Sequence, residues 1–214
     1  MAISKSKLHQ PIILNIDSIR IAEAFLSQAD LILAELIQTH GPCTLGFGEA
    51  EPFVRLVDSI IGQQLSAKAA KAIRARVRHS LGEITPSSIT IADNETLRVC
   101  GLSAAKIRYI KNLSWKVKNK EIDFSVLYSL PIEIVINELI KISGVGQWTA
   151  EMFVLFALRH SNILSLGDSG LKRAVKKFYG DTAKLETVGK RWNPYCSVAS
   201  WYLWRYLDAN MLPN

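Results

Sequence analysis

Apolar residues recur at helical spacing along nearly the whole chain. Phe53, Leu56, Val57, Ile60 and Ile61 stand at i, i+3, i+4, i+7 and i+8, the pattern of one face of an amphipathic helix. Asp93 ahead of Asn94-Glu95-Thr96-Leu97, and Ser103 ahead of Ala104-Ala105-Lys106-Ile107, are placed as N-caps. Pro131 falls in the first turn of a helix directed towards Lys141, and Pro194 precedes a C-terminal helix over about residues 195–208. The nearest approach to two-residue alternation, Ile84-Thr85-Pro86-Ser87-Ser88-Ile89-Thr90-Ile91, is broken by Pro86 and makes no convincing strand. No internal repeat or low-complexity tract interrupts the pattern. It predicts an all-α fold.

With 214 residues, 49% of them hydrophobic, the chain can bury a full core as one module or two small lobes. The net charge of +7 favours a polyanionic partner without choosing which one. Cys43, Cys100 and Cys196 lie far apart with no C-x-x-C pair, and the four histidines are equally scattered. Neither a disulfide framework nor a zinc or iron–sulfur spacing is present, which fits a reducing compartment. Residues 1–10, with Lys5 and Lys7, read as a flexible basic tail without the apolar run of a signal peptide. Met152 to Leu158 is too short to span a bilayer, so the expectation is an intracellular protein with no membrane association.

The richest segment runs from Leu139 to Leu171. It reads as a helix, a tight Gly144-Val145-Gly146 hairpin, a second helix opening at Trp148, then a lone Asp168 before another helix. Two glycines framing one residue allow a sharp turn and leave backbone N–H groups uncovered by side chains. The N–H groups opening the following helix carry the positive end of its dipole, so the corner suits a phosphate. Taken alone, Asp168 is a good N-cap for Ser169-Gly170-Leu171. That role is compatible with chemistry, since a cap is a rigid mount for a carboxylate.

This segment resembles the helix-hairpin-helix and aspartate-bearing loop of the HhH-GPD DNA glycosylase superfamily, and most of all its alkylated-base (3-methyladenine, type II) glycosylases. Three further stretches share the resemblance: Ser59-Ile-Ile-Gly-Gln-Gln-Leu-Ser66, Gly101-Leu-Ser-Ala-Ala-Lys-Ile107, and Trp192 to Trp204. Together they cover roughly residues 25–210, and the chain looks like a short form without the N-terminal β domain of longer relatives. Leu166-Gly167-Asp168 stands where the family usually has a proline-containing approach, and Cys196 where an arginine is usual.

The resemblance implies a single glycosylase module of two helical lobes with a cleft between them. One lobe would hold about residues 11–51 and 166–214, the other about 52–165, with crossings at Gly41–Gly48 and Ser161–Gly167. It makes Asp168 the catalytic carboxylate and gives Trp148, Met152 and Trp204 to the base pocket. Gly144, Val145, Gly146, Gln147 and Thr149 would bind DNA at the hairpin. Gln64, Leu65 and Ser66 would also bind DNA, with Gln64 or Leu65 entering the gap left by a flipped nucleotide. Backbone carbonyls of Ile140, Ile142 and Val145 could hold a monovalent cation, Na+ or K+, and no cofactor is required.

In the superfamily's bifunctional members a lysine occupies the place of Trp148, two residues after the second hairpin glycine, and attacks the sugar. An indole cannot do so, but it can stack on a flipped, electron-poor base. The expectation is therefore a monomeric, monofunctional hydrolase that excises alkylated purines from double-stranded DNA, in the nucleoid or the nucleus. The alternatives are a helix-hairpin-helix DNA-binding protein without catalysis, or a glycosylase for other damaged bases. The absent lysine and absent four-cysteine cluster count against the latter. Lys68, Lys71, Arg74, Arg76 and Arg78, like Lys106, Arg108 and Lys111, are expected mostly to form solvated helix faces.

Overall fold

Side-chain oxygens mark where most of the helices begin, because they accept the N–H groups that a first helical turn leaves unpaired. In the computed structural model, which describes residues 12–45 and 51–211, Asn15 caps α1 (Ile16–Ala29) and Asp30 caps α2 (Leu31–His40). The tail at 1–10 and residues 46–48 of the Gly41–Gly48 crossing lie outside the described residues. Next come α3 (Pro52–Gly62), with proline in its first turn, and α4 (Ala67–Leu81), capped by Ser66. Thr85 caps α5 (Pro86–Ile91), Asp93 caps α6 (Asn94–Val99), Ser103 caps α7 (Ala104–Lys118) and Asp123 caps the short α8 (Phe124–Leu127). Pro131 is the N-cap of α9 (Ile132–Ile140), not a residue of its first turn, and α10 (Gln147–Phe156) opens one residue before Trp148. Asp168 caps α11 (Ser169–Tyr179), and α12 (Leu185–Gly189) leads through a 3-10 turn, Lys190–Trp192, into α13 (Cys196–Met211).

The fold is all-α. Among the described residues the only β pairing is a single antiparallel bridge between Ile13 and His160, and no helix is long and apolar enough to cross a membrane. The chain divides into two units, one of Met1–Phe47 with Arg159–Asn214 and one of Gly48–Leu158.

In the second unit α3 packs on α4, α7 and α10, while α5 and α6 lie against α7, and α9 against α10. The apolar face of α3 is the reason: Leu56, Val57, Ile60 and Ile61 are fully buried, as their spacing requires. Most of the basic residues of α4 and α7 are exposed, as expected, but several of them are also tied to the fold by hydrogen bonds. Arg74 donates from Nε and Nη2 to the Asp58 carbonyl at 3.1 and 2.8 Å, and Arg76 donates from Nε to the Cys100 carbonyl at 2.8 Å. Arg78 pairs with the Asp58 carboxylate, and Lys111 Nζ reaches the Ala92 carbonyl at 2.6 Å. Arg76 and Lys111 close the ends of α6 and α5, and Arg74 and Arg78 tie α4 to α3, all with charge-assisted hydrogen bonds. Lys68, Lys71, Arg76, Arg78 and Arg108 stand exposed, and Arg74, Lys106 and Lys111 are half-buried.

In the first unit α1 packs on α2 and α13, α2 on α13, and α11 on α12 and α13. Residues 160–163, expected in the other lobe at a crossing, belong here. Ser161 N–H donates to Ile12 O and Ile163 N–H to Ser197 Oγ, while Ser161 O accepts from Ser197 N–H. Polar residues that resemble a linker in composition are thus hydrogen-bonded into a core.

The buried Asp30 ties this unit together. Its Oδ1 accepts the Ile32 and Leu33 N–H groups at 3.0 and 3.4 Å, and its Oδ2 accepts Tyr179 OH at 2.8 Å and Trp192 Nε1 at 3.0 Å. Burial, reinforced by that carboxylate, pushes the Tyr179 phenol above its ordinary pKa, so it stays a donor. Asp30→Ala would remove a helix cap and leave two buried donors without their acceptor. It should cost about 3 kcal/mol of unfolding free energy in urea titration. An unchanged midpoint and slope would mean that water replaces the carboxylate at no cost.

Candidate functional site

The hairpin between α9 and α10 owes its shape to one glycine. Gly144 has φ +86°, a left-handed conformation, and a Cβ there would run into the ring of Tyr109 on α7. Val145 N–H closes the turn on Ile142 O at 3.0 Å. Gly146 is different: its backbone is extended, φ −91° and ψ 175°, and a Cβ on it would meet nothing. It is the N-cap of α10 and has no side chain to cap with. The N–H groups of Gln147, Trp148 and Thr149 precede the first intrahelical bond, from Ala150 N–H to Gly146 O. They are the donors this corner can offer to an anion.

Two residues expected to bind DNA at the hairpin are corrected in detail. Val145 is buried, and its N–H is already used inside the turn, so it offers no donor outward. The Thr149 side chain is also buried, with Oγ1 3.3 Å from Gln63 Nε2, which leaves only its backbone for such a contact. Gln147 is exposed and its amide donates to Glu151 Oε1 at 2.8 Å. A cavity of about 550 Å³ lies against the hairpin, lined by residues 140–146, Gln63, Gln64, Ser103, Ala105, Lys106 and Tyr109.

The Gly62–Leu65 turn forms another side of this cavity. Leu65 N–H donates to Gly62 O at 3.2 Å, and Gln64 at the tip has φ +55°. A left-handed third residue is the signature of a type II turn, where glycine is usual. The two glutamines have opposite tasks. Gln63 points inward and its Nε2 donates to Gly144 O at 2.8 Å, while Gln64 is exposed and Leu65 is 38% exposed. Ser66 Oγ accepts Ala69 N–H at 3.2 Å as the cap of α4. Lys106 Nζ donates to Ile61 O at 2.7 Å and Gln63 O at 2.8 Å, and burial pushes its amine below the usual lysine pKa. Gln63, Lys106 and Tyr109 were not singled out as site residues from the sequence. The signal was present, since Gln63 and Lys106 fall in two of the resembling stretches.

Trp148 and Met152 share one side of α10, a turn apart. Trp148 is 46% exposed, whereas Met152 is buried and borders a 260 Å³ cavity with Arg55, Asp58, Arg74, Phe153 and Phe156.

In the first unit Asp168 is buried, 8% exposed, at the N-cap of α11. Its Oδ1 accepts Leu171 N–H at 2.7 Å and Trp204 Nε1 at 3.1 Å. The cap reading is therefore correct, and Trp204 of α13 is brought to the same carboxylate. Gly170 makes room for this pair. A Cβ there would stand 3.1 Å from Asp168 Oδ1 and 3.6 Å from the Trp204 ring. Glycine inside a helix costs stability relative to alanine, and that cost is the sequence signal that could have found it. Cys196, in place of the usual arginine, is buried with Sγ 3.6 Å from Gly189 O, and burial pushes its thiol up to about 12. Among the described residues no group of three or more His, Cys, Asp or Glu is placed to hold a metal ion.

Residues 57–193 match the family described as "HhH-GPD superfamily base excision DNA repair protein". The chain is 33% identical to the alkylbase DNA glycosidase-like protein mag2 of Schizosaccharomyces pombe, over 86% of this chain and 92% of that one. It is 31% identical to the putative DNA-3-methyladenine glycosylase YfjP of Bacillus subtilis, over 72% of this chain and 58% of that one. Among solved structures, DNA-3-methyladenine glycosidase from Bacillus halodurans superposes with a TM-score of 0.74 at 37% identity, covering 91% of each chain. The Schizosaccharomyces pombe 3-methyladenine DNA glycosylase Mag1, solved in complex with abasic DNA, superposes with a TM-score of 0.77 at 28% identity, covering 86% of this chain and 95% of that one. By the extent of these matches, the chain belongs to the HhH-GPD superfamily of base excision DNA repair proteins.

Proposed function

We propose that this protein is a monomeric, monofunctional DNA glycosylase that flips alkylated purines of the 3-methyladenine type out of duplex DNA and hydrolyses the N-glycosidic bond. The observation that carries the reading is Asp168. It is a buried carboxylate whose plane is fixed by a backbone N–H and an indole N–H on one oxygen, in a chain whose relatives bear glycosylase names.

Alkylation at N3 or N7 makes a purine cationic, so when the C1′–N bond breaks the base takes the electron pair and leaves neutral. No general acid is needed. The sugar becomes oxocarbenium-like, and water then adds to C1′. A carboxylate about 4 Å from that positive charge, at an effective dielectric of about 20, is worth about 4 kcal/mol. That corresponds to about a thousandfold in rate. Because Asp168 is held by its own helix and by Trp204, it needs no reorganisation as the charge develops. The Trp148 indole offers a stacking face for an electron-poor base.

The hairpin supports the DNA partner. The first N–H groups of α10 and the absence of a side chain at Gly146 let a phosphate approach the helix end. The carbonyls of Ile140, Ile142 and Val145 fit a monovalent cation, since they are neutral oxygen donors on one turn and Ile142 O keeps a lone pair after accepting Val145 N–H. A cation there would add positive charge facing the phosphate. A protein acting on DNA in this way would work in the nucleoid of a bacterium or the nucleus of a eukaryote.

Asp168→Asn keeps a side-chain oxygen for the cap but removes the charge. Single-turnover excision should fall by about a hundredfold or more while duplex binding and thermal stability stay near the parent's. A destabilised variant with full activity would return Asp168 to a structural role only.

No strand cleavage should accompany excision. Borohydride added during turnover on alkylated DNA should trap no covalent protein–DNA adduct, because Trp148 supplies no amine. A trapped adduct would mean that a lysine elsewhere attacks the sugar, and the enzyme would be bifunctional.

The two hairpin glycines should separate. Gly144→Ala meets both the Tyr109 ring and a left-handed backbone, so it should lower the melting temperature. Gly146→Ala meets no neighbour and loses only glycine's preference at an N-cap, so it should lower the melting temperature less than Gly144→Ala does, yet bind alkylated and undamaged duplex alike more weakly, because phosphate contacts position a protein without reading bases. If Gly146→Ala binds undamaged duplex as tightly as the parent at one fixed salt concentration, the hairpin is not the DNA anchor.

A further inference from the structure

We infer that Gln63 and Lys106 are positioning residues for base flipping, locking the Gln64 turn to the Gly144 hairpin so that the phosphate anchor and the inserting side chain move as one piece; this rests on the glycosylase reading above. Three contacts close the lock. Lys106 Nζ holds the carbonyls of Ile61 and Gln63, just before the turn tip. Tyr109, one helical turn further along α7, fills the space beside Gly144 that a Cβ would need. The Gln63 amide then joins the two loops directly, donating to Gly144 O and Thr149 Oγ1. The same helix therefore grips both loops, and Gln63 bridges them.

The need for a lock follows from Gln64. A non-glycine residue rarely adopts φ +55°, and a tip in that conformation persists only where its surroundings over-determine it. An ordinary helix C-cap could be served by Lys106 alone. The additional Gln63 bond to the hairpin has no part in capping α3, and it runs to the residue beside the expected phosphate site. A side chain entering a duplex must resist the stacking and pairing that it replaces. If the turn could yield, Gln64 would retreat while the hairpin stayed on its phosphate.

The test uses Gln63→Ala and Lys106→Met in the full chain, with circular dichroism melts as the check on folding. The substrate is a duplex carrying 7-methylguanine beside 2-aminopurine, whose fluorescence reports unstacking without any excision. The methylated base is either paired with cytosine or mismatched with adenine. On the paired target, unstacking amplitude and single-turnover excision should each fall by about tenfold, with undamaged-duplex binding within about twofold of the parent. On the mismatched target, where flipping is already cheap, the deficit should shrink to about twofold. A purely structural role would lower both targets equally. Equal deficits, no deficit in folded variants, or loss of fold in both variants would each overturn the lock. A parent that unstacks its target but excises nothing would sink the proposed activity and leave the lock to be judged on fluorescence alone.

Discussion

Gly144 holds a left-handed backbone against the face of Tyr109, and no residue with a Cβ could stand there without moving the ring. The rest of the candidate DNA surface follows from that packing. Tyr109 belongs to α7, whose Ile107, Ile110 and Leu113 are buried, so the helix that carries the ring is anchored in the core of its unit and fixes the hairpin relative to it. With Gly144 fixed, Val145 turns inward and gives its N–H to Ile142, and Gly146 returns to extended backbone just as α10 begins. The first N–H groups of α10 follow directly, and Gly146 puts no side chain in front of them. One glycine makes the turn and the other keeps its mouth open. These are different physical reasons for the same residue type.

A comparable economy governs Asp168. The role proposed for Asp168 calls for a carboxylate that is held still, and the N-cap of a helix does this with a bond that the helix needs anyway. The Trp204 indole adds a second donor to the same oxygen, and Gly170 keeps a methyl group from pressing on both. α11 is held at its far end too, since Tyr179 closes on Asp30, which in turn caps α2 and accepts from Trp192. The stability of the unit and the position of the carboxylate thus rest on one helix pinned at both ends by aspartates.

Much of this was legible in the sequence, because the signals are local. The α3 face, the caps Asp93 and Ser103, the Gly-Val-Gly turn and the cap at Asp168 all depend on residues within a few positions of one another. What was not legible depends on partners distant in the chain. Arg74, Arg76, Lys106 and Lys111 have the spacing of solvated cations, and nothing nearby in sequence indicates that each closes on a backbone carbonyl many residues away. The same holds for residues 160–163, whose composition resembles a linker while their hydrogen bonds run to Ile12 and to Ser197. Gln63 and Gln64 are identical letters. Only the turn geometry separates the one that bridges inward from the one that is presented outward.

These internal uses of cations bear on how the net charge of +7 acts. Long-range attraction to a polyanion depends on the summed field, to which a lysine bound to carbonyls still contributes. The salt dependence of binding depends instead on how many cations touch phosphates and release counterions. Lys106, Lys111, Arg74 and Arg76 are committed to carbonyls and Arg78 to Asp58, so they add to steering more than to contact. On the proposed reading, close phosphate contacts would fall more heavily on backbone N–H groups such as those opening α10, which carry no formal charge to exchange for a counterion. A protein built this way can be drawn to DNA by its charge and yet be positioned on it by its backbone, which is where the left-handed Gly144 exerts its effect.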